Sequence, residues 1–343
     1  MRASSPKLCL ACSGGGHLRQ LLLLAEFYQG LDHYFVTQRT PLGESASKDH
    51  RIHFVEDVAL GLLKKSPRAW RAWFVNLFQS IRILWRERPD VILSSGAGTA
   101  LNTILLGRLF GARTIFLETF AHTQTPSLTG RIAARFVQAH LVQWEALLTH
   151  FPKAALASPL VETGAILERK PSADQVLVTV GTHGPFDRLV REVERLVDQG
   201  RMTGPVVAQV GPGGYHPKNM RAFEACGQDE MSRLLDESWL LITHAGTGSI
   251  LSGLKAGCKV IALARSAAHG EHYDDHQLEI LNEMRSRGAV LGGKDPSELE
   301  VLWNQASAFQ PREIQISVEP IERELARIFG QWFQGWQPAG TSS

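Results

Sequence analysis

The chain has 343 residues, 44% of them hydrophobic, which is enough for two domains with cores of their own and excludes a disordered polypeptide. Four cysteines (Cys9, Cys12, Cys226, Cys258) are too few and too scattered for a disulfide framework, and the Cys9/Cys12 pair lacks a second pair to complete a zinc site. The net charge of +2 hides an asymmetry: residues 1–165 hold 18 Lys/Arg against 11 Asp/Glu and residues 166–343 hold 18 against 23, so an anionic partner is expected for the first half.

In chain order, "KLCLACS" (7–13) reads as a buried strand whose cysteines are core thiols. Its apolar run passes straight into Ser-Gly-Gly-Gly-His rather than a cleavage site, so no secretory signal is expected. "HLRQLLLLAEFY" (17–28) reads as a helix, "HYFVTQ" (33–38) and "DVILSSG" (90–96) as strands, "NTILLGRLFG" as a helix, "RTIFLET" as a strand and "RIAARFVQAH" as a helix. Between 150 and 172 the pattern lapses. It restarts at "QVLVTVGTHG", followed by helix 186–199, strand "PVVAQVG", a short helix near 230, strand "WLLITHAG", helix 247–256, strand "KVIALAR" and helix 274–287. This rhythm predicts an α/β protein with two Rossmann-like domains, 1–165 and 166–343, facing across a cleft, with ligands at the carboxyl ends of parallel strands.

The stretch "LLKKSPRAWRAWFVNLFQSIRILWRERPD" (62–90) repeats Trp70, Trp73, Phe74, Leu77, Phe78, Ile81, Leu84 and Trp85 at helical spacing among seven Lys/Arg and one Glu. It reads either as an interfacial helix that lays residues 62–88 on anionic lipid or as an amphipathic helix packed on the sheet. Its aromatics would be poorly used on a duplex, and with no recognition motif elsewhere no nucleic-acid partner is expected. No window is apolar enough to span a bilayer, so the protein is expected to be cytosolic, soluble or peripheral. The tail "IFGQWFQGWQ" (328–337) reads as a second aromatic contact or as a segment crossing back onto the first domain.

Three glycine turns follow strands. Ser13-Gly14-Gly15-Gly16-His17 opens the first helix and offers its amides to anionic oxygen, or is a tight turn and nothing more. It is neither the dinucleotide fingerprint nor a Walker loop. Gly181-Thr182-His183-Gly184 and His244-Ala245-Gly246-Thr247-Gly248-Ser249 repeat the arrangement, and all three belong at the same edge of their sheets. The cluster "HGEHYDDHQ" (269–277) admits a helix-borne His272/His276 metal pair but lacks the HExxH spacing, and its side chains suit a diol-and-phosphate ligand better.

"HAGTGSILSGLKAG" with "HGEHYDDHQLEI", and "VLVTVGTHGPFDRLV" before them, resemble the donor half of GT-B glycosyltransferases related to the eukaryotic enzyme that adds the second N-acetylglucosamine to a dolichol-diphosphate sugar. "SGGGHLRQLL", "PDVILSSGAGTA", "IFLETFA" and "SLTGRIAARFVQAHLVQW" resemble its membrane-recruiting partner subunit, so that most of residues 7–285 looks like a fused bacterial form.

The resemblance implies an inverting transfer from a UDP-sugar to a polyprenyl-diphosphate-linked sugar, without metal or resident cofactor, by a peripheral protein on the cytoplasmic face of the plasma membrane. The amides of Gly246, Thr247, Gly248 and Ser249 would receive the diphosphate, and Asp275, His276 and Gln277 the donor sugar or ribose. Gly181, Thr182, His183, Gln209, His244, Arg265, Glu271 and His272 complete the expected donor set. Ser252 stands where the N-acetylglucosamine transferases carry a ribose-holding Glu, which leans toward the exopolysaccharide branch and its glucuronosyl and galactosyl transferases. A glucuronate carboxylate would need a cation, for which Arg265 is the local candidate unless it is a solvated strand-end residue. On the acceptor side the resemblance puts Ser13, Gly14, Gly15 and Gly16 near the substrate. His17 and Glu118 are equal candidates for the base, and His122 is either an acceptor contact or an ordinary loop residue. A UDP-sugar epimerase and a non-catalytic UDP-sugar-binding partner are the rival readings.

Overall fold

The strand "LCLAC", β1 (Leu8–Cys12), is buried at every position, as a strand covered on both faces must be. In the computed structural model, which describes residues 5–58, 67–167, 174–181, 184–271, 276–334 and 336, β1 pairs in parallel with β2 (His33–Gln38) and β4 (Val91–Gly96). Parallel pairing continues through β3 (Ile52–Val55), β5 (Arg113–Leu117), β6 (Ala139–Val142) and β7 (Ala155–Leu156) in the order β3-β2-β1-β4-β5-β6-β7. The second parallel sheet runs β11 (Arg221–Phe223), β10 (Val206–Gln209), β9 (Gln175–Thr179), β12 (Ser238–Thr243), β13 (Lys259–Leu263) and β14 (Leu291–Gly293). Each sheet reverses its strand order once, between β1 and β4 and between β9 and β12. These are topological switch points, where crossover helices leave on opposite faces and open a crevice at the strand ends.

In the first unit the helices are α1 (Gly16–Leu22), α2 (Ala25–Tyr28), α3 (Pro41–Ala46), α4 (Pro67–Glu87), α5 (Gly98–Leu109) and α6 (Leu128–Ala133). One core gathers Leu8, Leu10, Leu18, Leu21 and Leu93, and the opposite face of the sheet gathers Cys9, Ala11, Tyr34, Leu84 and Ile104. The second unit carries α7 (Asp187–Asp198), α8 (Gln228–Asp236), α9 (Thr247–Lys255), α10 (His276–Ser286) and α11 (Leu299–Ala306). Val176, Val178, Phe186, Leu189, Val193, Ile242 and Leu263 form a core there. Among the described residues no helix is long and apolar enough to cross a membrane.

Several expectations are corrected. The chain divides at 159/160 and again at 316/317, so that residues from Ser317 onward belong with the first unit and not with a domain 166–343. The reason is apolar burial: α12 (Glu319–Trp332) sends Ile321, Leu325, Ile328 and Phe329 into the core of Leu8 and Leu10, and Phe329 meets Phe27 edge to face at 5.0 Å. The tail therefore crosses back. The aperiodic stretch 150–172 contains β7 and β8 (Leu160–Ile166), and β8 pairs antiparallel with β15 (Arg312–Ile316) in a ribbon whose side chains are mostly exposed, which leaves no alternating pattern to read. The helix expected over 17–28 breaks at Leu23–Leu24 into α1 and α2. The run 131–140 ends as a helix at Ala133 and resumes as β6, a short buried strand that periodicity does not distinguish from helix.

At the amino edge of the first sheet, Glu87 at the end of α4 is 8% exposed and accepts from Lys7 Nζ (2.7 Å) and His53 Nε2 (3.1 Å), with Arg51 at 4.0 Å. Burial alone would raise its pKa, but Lys7, Arg51 and His53 together hold it below the ordinary carboxylate value of 4.5. A carboxylate held down in the native state adds stability that is complete above its unfolded pKa and disappears as pH falls through the folded value. Glu87→Gln is expected to cost about 2 kcal/mol at neutral pH, the scale of a charged hydrogen bond. The same variant should lose less stability than the wild type on going below pH 4.5, as read by urea titration at a series of pH values.

Candidate functional site

The first switch point is lined by two turns. After β1, Ser13 is buried and its amide donates to Gly96 O (3.2 Å). Gly14 donates to Gln38 Oε1 (2.9 Å) at the end of β2, and a Cβ on Gly14 would lie 2.4 Å from the Thr40 methyl, so this turn tolerates no side chain. Gly15, at φ +70°, turns the chain into α1, and Gly16 faces open space. After β4, Gly96 (φ +99°) and Ala97 (φ +60°) make the second turn, and α5 starts without a side-chain cap. His17 joins the two turns. Its Nδ1 lies 2.7 Å from Ser95 O, and Ser95 Oγ donates back to His17 O (3.1 Å). A carbonyl only accepts, so Nδ1 carries the ring proton and Nε2 is the basic nitrogen.

Glu118 does not share that position. Its side chain is fully buried beneath the turn after β5, Oε1 accepts from the Thr119 amide (3.0 Å), and Oε2 has no hydrogen-bond partner among the described residues. Burial pushes its pKa up against the pull of Ser127 and Thr119. The carboxyl is thus enclosed by protein in this structure, whereas His17 stands where the two turns meet. Glu118 instead packs against Gly130 of α6, where a Cβ would lie 2.0 Å from Oε2. Gln143 Nε2 donates to its backbone oxygen at 2.6 Å. His122 is half-buried, with Nδ1 2.9 Å from Thr125 O inside its own loop.

The second switch point repeats the construction. Gly181 (φ +75°) follows β9, and its amide donates to Gln209 Oε1 (3.1 Å), as Gly14 does to Gln38 in the first unit. Gln209 ends β10 as Gln38 ends β2. Its oxygen also accepts from Thr179 Oγ1 (2.6 Å), and its nitrogen donates to Gly181 O (3.0 Å) and Glu224 O (2.8 Å). In this structure the hydrogen bonds of Gln209 are spent on the turn, which it supports.

His244 is also buried, its Nδ1 3.2 Å from Thr243 Oγ1. A Cβ on Gly181 or Gly246 would lie 2.5 and 2.2 Å from its ring. These two glycines make room for an imidazole, whereas Gly248, one residue into α9, has nothing within 4 Å of its Cβ position. Helix α9 starts at Thr247 with no side-chain cap, so its first amides and dipole are directed at the crevice beyond β12. Ser249, in the same first turn, is half-buried, and its amide donates to Gly246 O (3.1 Å).

The remaining donor-side residues divide. Thr182, His183, His272 and Asp275 lie outside the described residues. His276 begins α10. Gln277 is buried, and its Oε1 accepts from the Arg265 amide (3.2 Å). Arg265 is 1% exposed, neither a solvated strand-end residue nor a cation open to a ligand. Its Nη2 donates to Val180 O and Gly184 O, both at 2.6 Å, and burial lowers its pKa against the attraction of Glu271. Glu271 is likewise committed: Arg188 Nε and Nη2 grip it at 2.7 and 3.0 Å, and the Ser266 amide donates to it at 3.0 Å. Those bonds hold its carboxyl low although burial opposes them. Arg188 Nη1 also reaches Asp295 Oδ2 (2.6 Å), and the Ser297 amide and Arg188 bring Asp295 to about 2. Arg188 and Asp295 carry no signal in the sequence, because their partners lie 83 and 107 residues apart along the chain.

On the first unit, α4 is turned the unusual way round. Its buried face is Asn76, Ser80, Leu84 and Glu87. Asn76 Nδ2 donates to Glu56 O (2.8 Å) and Thr99 O (3.0 Å), Asn102 Nδ2 donates to Asn76 Oδ1 (3.0 Å), and Ser80 meets Thr103 at 3.0 Å. Its exposed face carries Trp70, Phe74, Phe78 and Trp85, the last two more than 60% exposed, beside the exposed Arg68, Arg71, Arg82 and Arg86.

Residues 64–160 match the family described as oligosaccharide biosynthesis protein Alg14 like. Residues 175–301 match the glycosyltransferase family 28 C-terminal domain. The UDP-N-acetylglucosamine transferase subunit ALG14 of Rattus norvegicus is 24% identical over 180 residues, 45% of this chain and 82% of its own length. The UDP-N-acetylglucosamine--N-acetylmuramyl-(pentapeptide) pyrophosphoryl-undecaprenol N-acetylglucosamine transferase of Shouchella clausii is 24% identical over 225 residues, 60% of this chain and 62% of its own. Among solved structures, MurG of Acinetobacter baumannii superposes with a TM-score of 0.61 at 17% identity, covering 88% of this chain and 90% of its own. The UDP-N-acetylglucosamine 2-epimerase of Rickettsia bellii reaches 0.65 at 9% identity, covering 96% and 97%, so the fold by itself does not separate transferase from epimerase. The family matches fall on the transferase side: an Alg14-like segment is followed in one polypeptide by a glycosyltransferase family 28 C-terminal domain, an arrangement similar to that of UDP-sugar-dependent GT-B transferases.

Proposed function

We propose that the protein transfers N-acetylglucosamine from UDP to a sugar carried on a polyprenyl diphosphate, with inversion at the anomeric carbon. The observation that carries the reading is the uncapped start of α9 at the second switch point, where Gly248 leaves open space in front of amides suited to a diphosphate. Two relatives are named for transferring N-acetylglucosamine, and the Shouchella clausii enzyme for an undecaprenyl pyrophosphoryl acceptor, which supports the donor and acceptor classes.

In this reading His17 Nε2 takes the proton of the acceptor hydroxyl, the hydroxyl oxygen bonds to the anomeric carbon, and the bond from that carbon to the UDP oxygen breaks. The Ser95 carbonyl keeps the imidazole in the basic tautomer. The diphosphate leaves onto helix amides, and no metal enters the step. A glucuronate donor loses its support, because Arg265 is buried and turned to two backbone carbonyls.

The exposed aromatic stripe of α4, flanked by arginines and backed by polar packing, supports a resting place on an anionic membrane surface, where the lipid-linked acceptor is also found.

UDP release by the purified protein, given UDP-N-acetylglucosamine, UDP-glucuronate, UDP-galactose or UDP-glucose with polyprenyl-diphosphate sugars, tests the reaction. Acceptor-dependent turnover with UDP-N-acetylglucosamine is expected. Turnover with UDP-glucuronate alone would return the enzyme to the exopolysaccharide type, and binding without turnover would make it a partner subunit.

The two glycines of the α9 turn separate fold from site. Gly246→Ala should destabilise by about 1–3 kcal/mol by crowding His244, whereas Gly248→Ala should leave the melting temperature unchanged and raise the donor KM. Phe78→Glu with Trp85→Glu should abolish co-sedimentation with vesicles containing phosphatidylglycerol and leave turnover of a detergent-dispersed acceptor intact.

A further inference from the structure

Arg265 is among the largest fully buried side chains of the protein, and its Nε and Nη1 have no hydrogen-bond partner among the described residues. A charge so placed is costly: burial without full pairing opposes folding, and an apolar side chain of similar volume often replaces a buried ion without loss. What the guanidinium does make is specific. One nitrogen, Nη2, joins Val180 O and Gly184 O, both in the connection between β9 and α7. Its own amide is received by Gln277 at the start of α10, and the next amide, Ser266, by Glu271, which Arg188 of α7 holds in turn. Phe186, fully buried, has both guanidinium groups 5.9 Å from its ring.

We propose that Arg265 is a positioning residue for the UDP-sugar: it ties Val180 to Gly184, and with them Gly181, relative to Ser266 and to Gln277 of α10, and does so without touching the donor. The inference rests on the reading that this unit binds a UDP-sugar. Its chemistry follows from the carbonyls. Val180 O and Gly184 O converge on one point, where only a donor satisfies both, and a cation does so more strongly than a neutral group. An apolar residue at 265 would keep the volume and remove the buried charge, but it would leave the two carbonyls to separate. Stability and donor affinity should therefore change in opposite directions, which a residue that only packs would not produce.

The test compares the wild type with Arg265→Met and Arg265→Lys as full-length proteins, reading melting temperature, UDP affinity by calorimetry, and KM for donor and acceptor separately. For Arg265→Met, a melting temperature equal to or above that of the wild type is expected. UDP affinity and donor KM should worsen by about tenfold, the scale of a small misplacement of binding groups, with acceptor KM unchanged. For Arg265→Lys, which keeps the charge but not the planar fork, an intermediate loss of about threefold is expected. UDP affinity retained in Arg265→Met overturns the inference, and so does a fall in melting temperature with donor and acceptor KM worsening together. Should Arg265→Met not fold, wild-type donor affinity in Arg265→Lys overturns it. A wild type that binds no UDP brings down the donor reading and the inference with it, whereas a wild type that binds UDP beside an unaffected Arg265→Met brings down the inference alone.

Discussion

The glycine turns at the carboxyl ends of both sheets, and the polar side chains that support them, depend on one constraint, the reversal of strand order in each sheet. Where crossovers depart to opposite faces, two neighbouring strands end with no connection over them, and the turns that follow must become helix almost at once. That requirement accounts for the glycines. Gly14 runs against Thr40, Gly181 and Gly246 against His244, and Gly96 adopts a φ of +99°. Both units meet it with the same support: the strand outside the central one ends in a glutamine, Gln38 or Gln209, whose oxygen receives the first glycine amide of the turn. A repeated device at equivalent places in two sheets, with little else in common between their sequences, indicates that the turn geometry is what must be kept.

The sequence discloses strands well where both faces are buried. The runs "HYFVTQ" and "QVLVT" coincide with β2 and β9, because a parallel strand between two helical layers is apolar throughout. It discloses little where exposure removes the pattern, as in the ribbon of β8 and β15, or where a short buried run suits either structure, as in β6. The glycine turns were legible as a set, since their place after a strand and before a helix is written in the chain. The division at Ser317 was not, because a terminal helix that returns to an earlier core looks locally like any other amphipathic helix.

Charged residues at strand ends were the least legible, for a physical reason. Inside a strand the period of two fixes the side to which a residue points, but one or two residues beyond it the backbone leaves the sheet and that rule ends. Glu118 and Arg265 both stand there, and both turn inward, one beneath the β5 turn and the other beneath the β9 connection. His17 differs: it lies in the first turn of α1, and its Nδ1 is 2.7 Å from Ser95 O. Composition identified the groups able to carry charge but not which of them were spent on holding turns.

Helix α4 shows the same distinction on a surface. Hydrophobic periodicity reports an apolar face and does not say what covers it. Here the packed face is a hydrogen-bonded seam of Asn76, Ser80, Asn102 and Thr103, and the aromatic face is left outside. A helix attached through amides and hydroxyls gives up apolar burial that Trp70, Phe74, Phe78 and Trp85 could have supplied inward, at roughly 25 cal/mol for each Å². That loss is recovered only if something else covers the stripe. In the proposed reading the cover is an anionic surface, and the arginines along the margin support it: an apolar groove would strip their hydration, whereas a headgroup layer replaces it with phosphate.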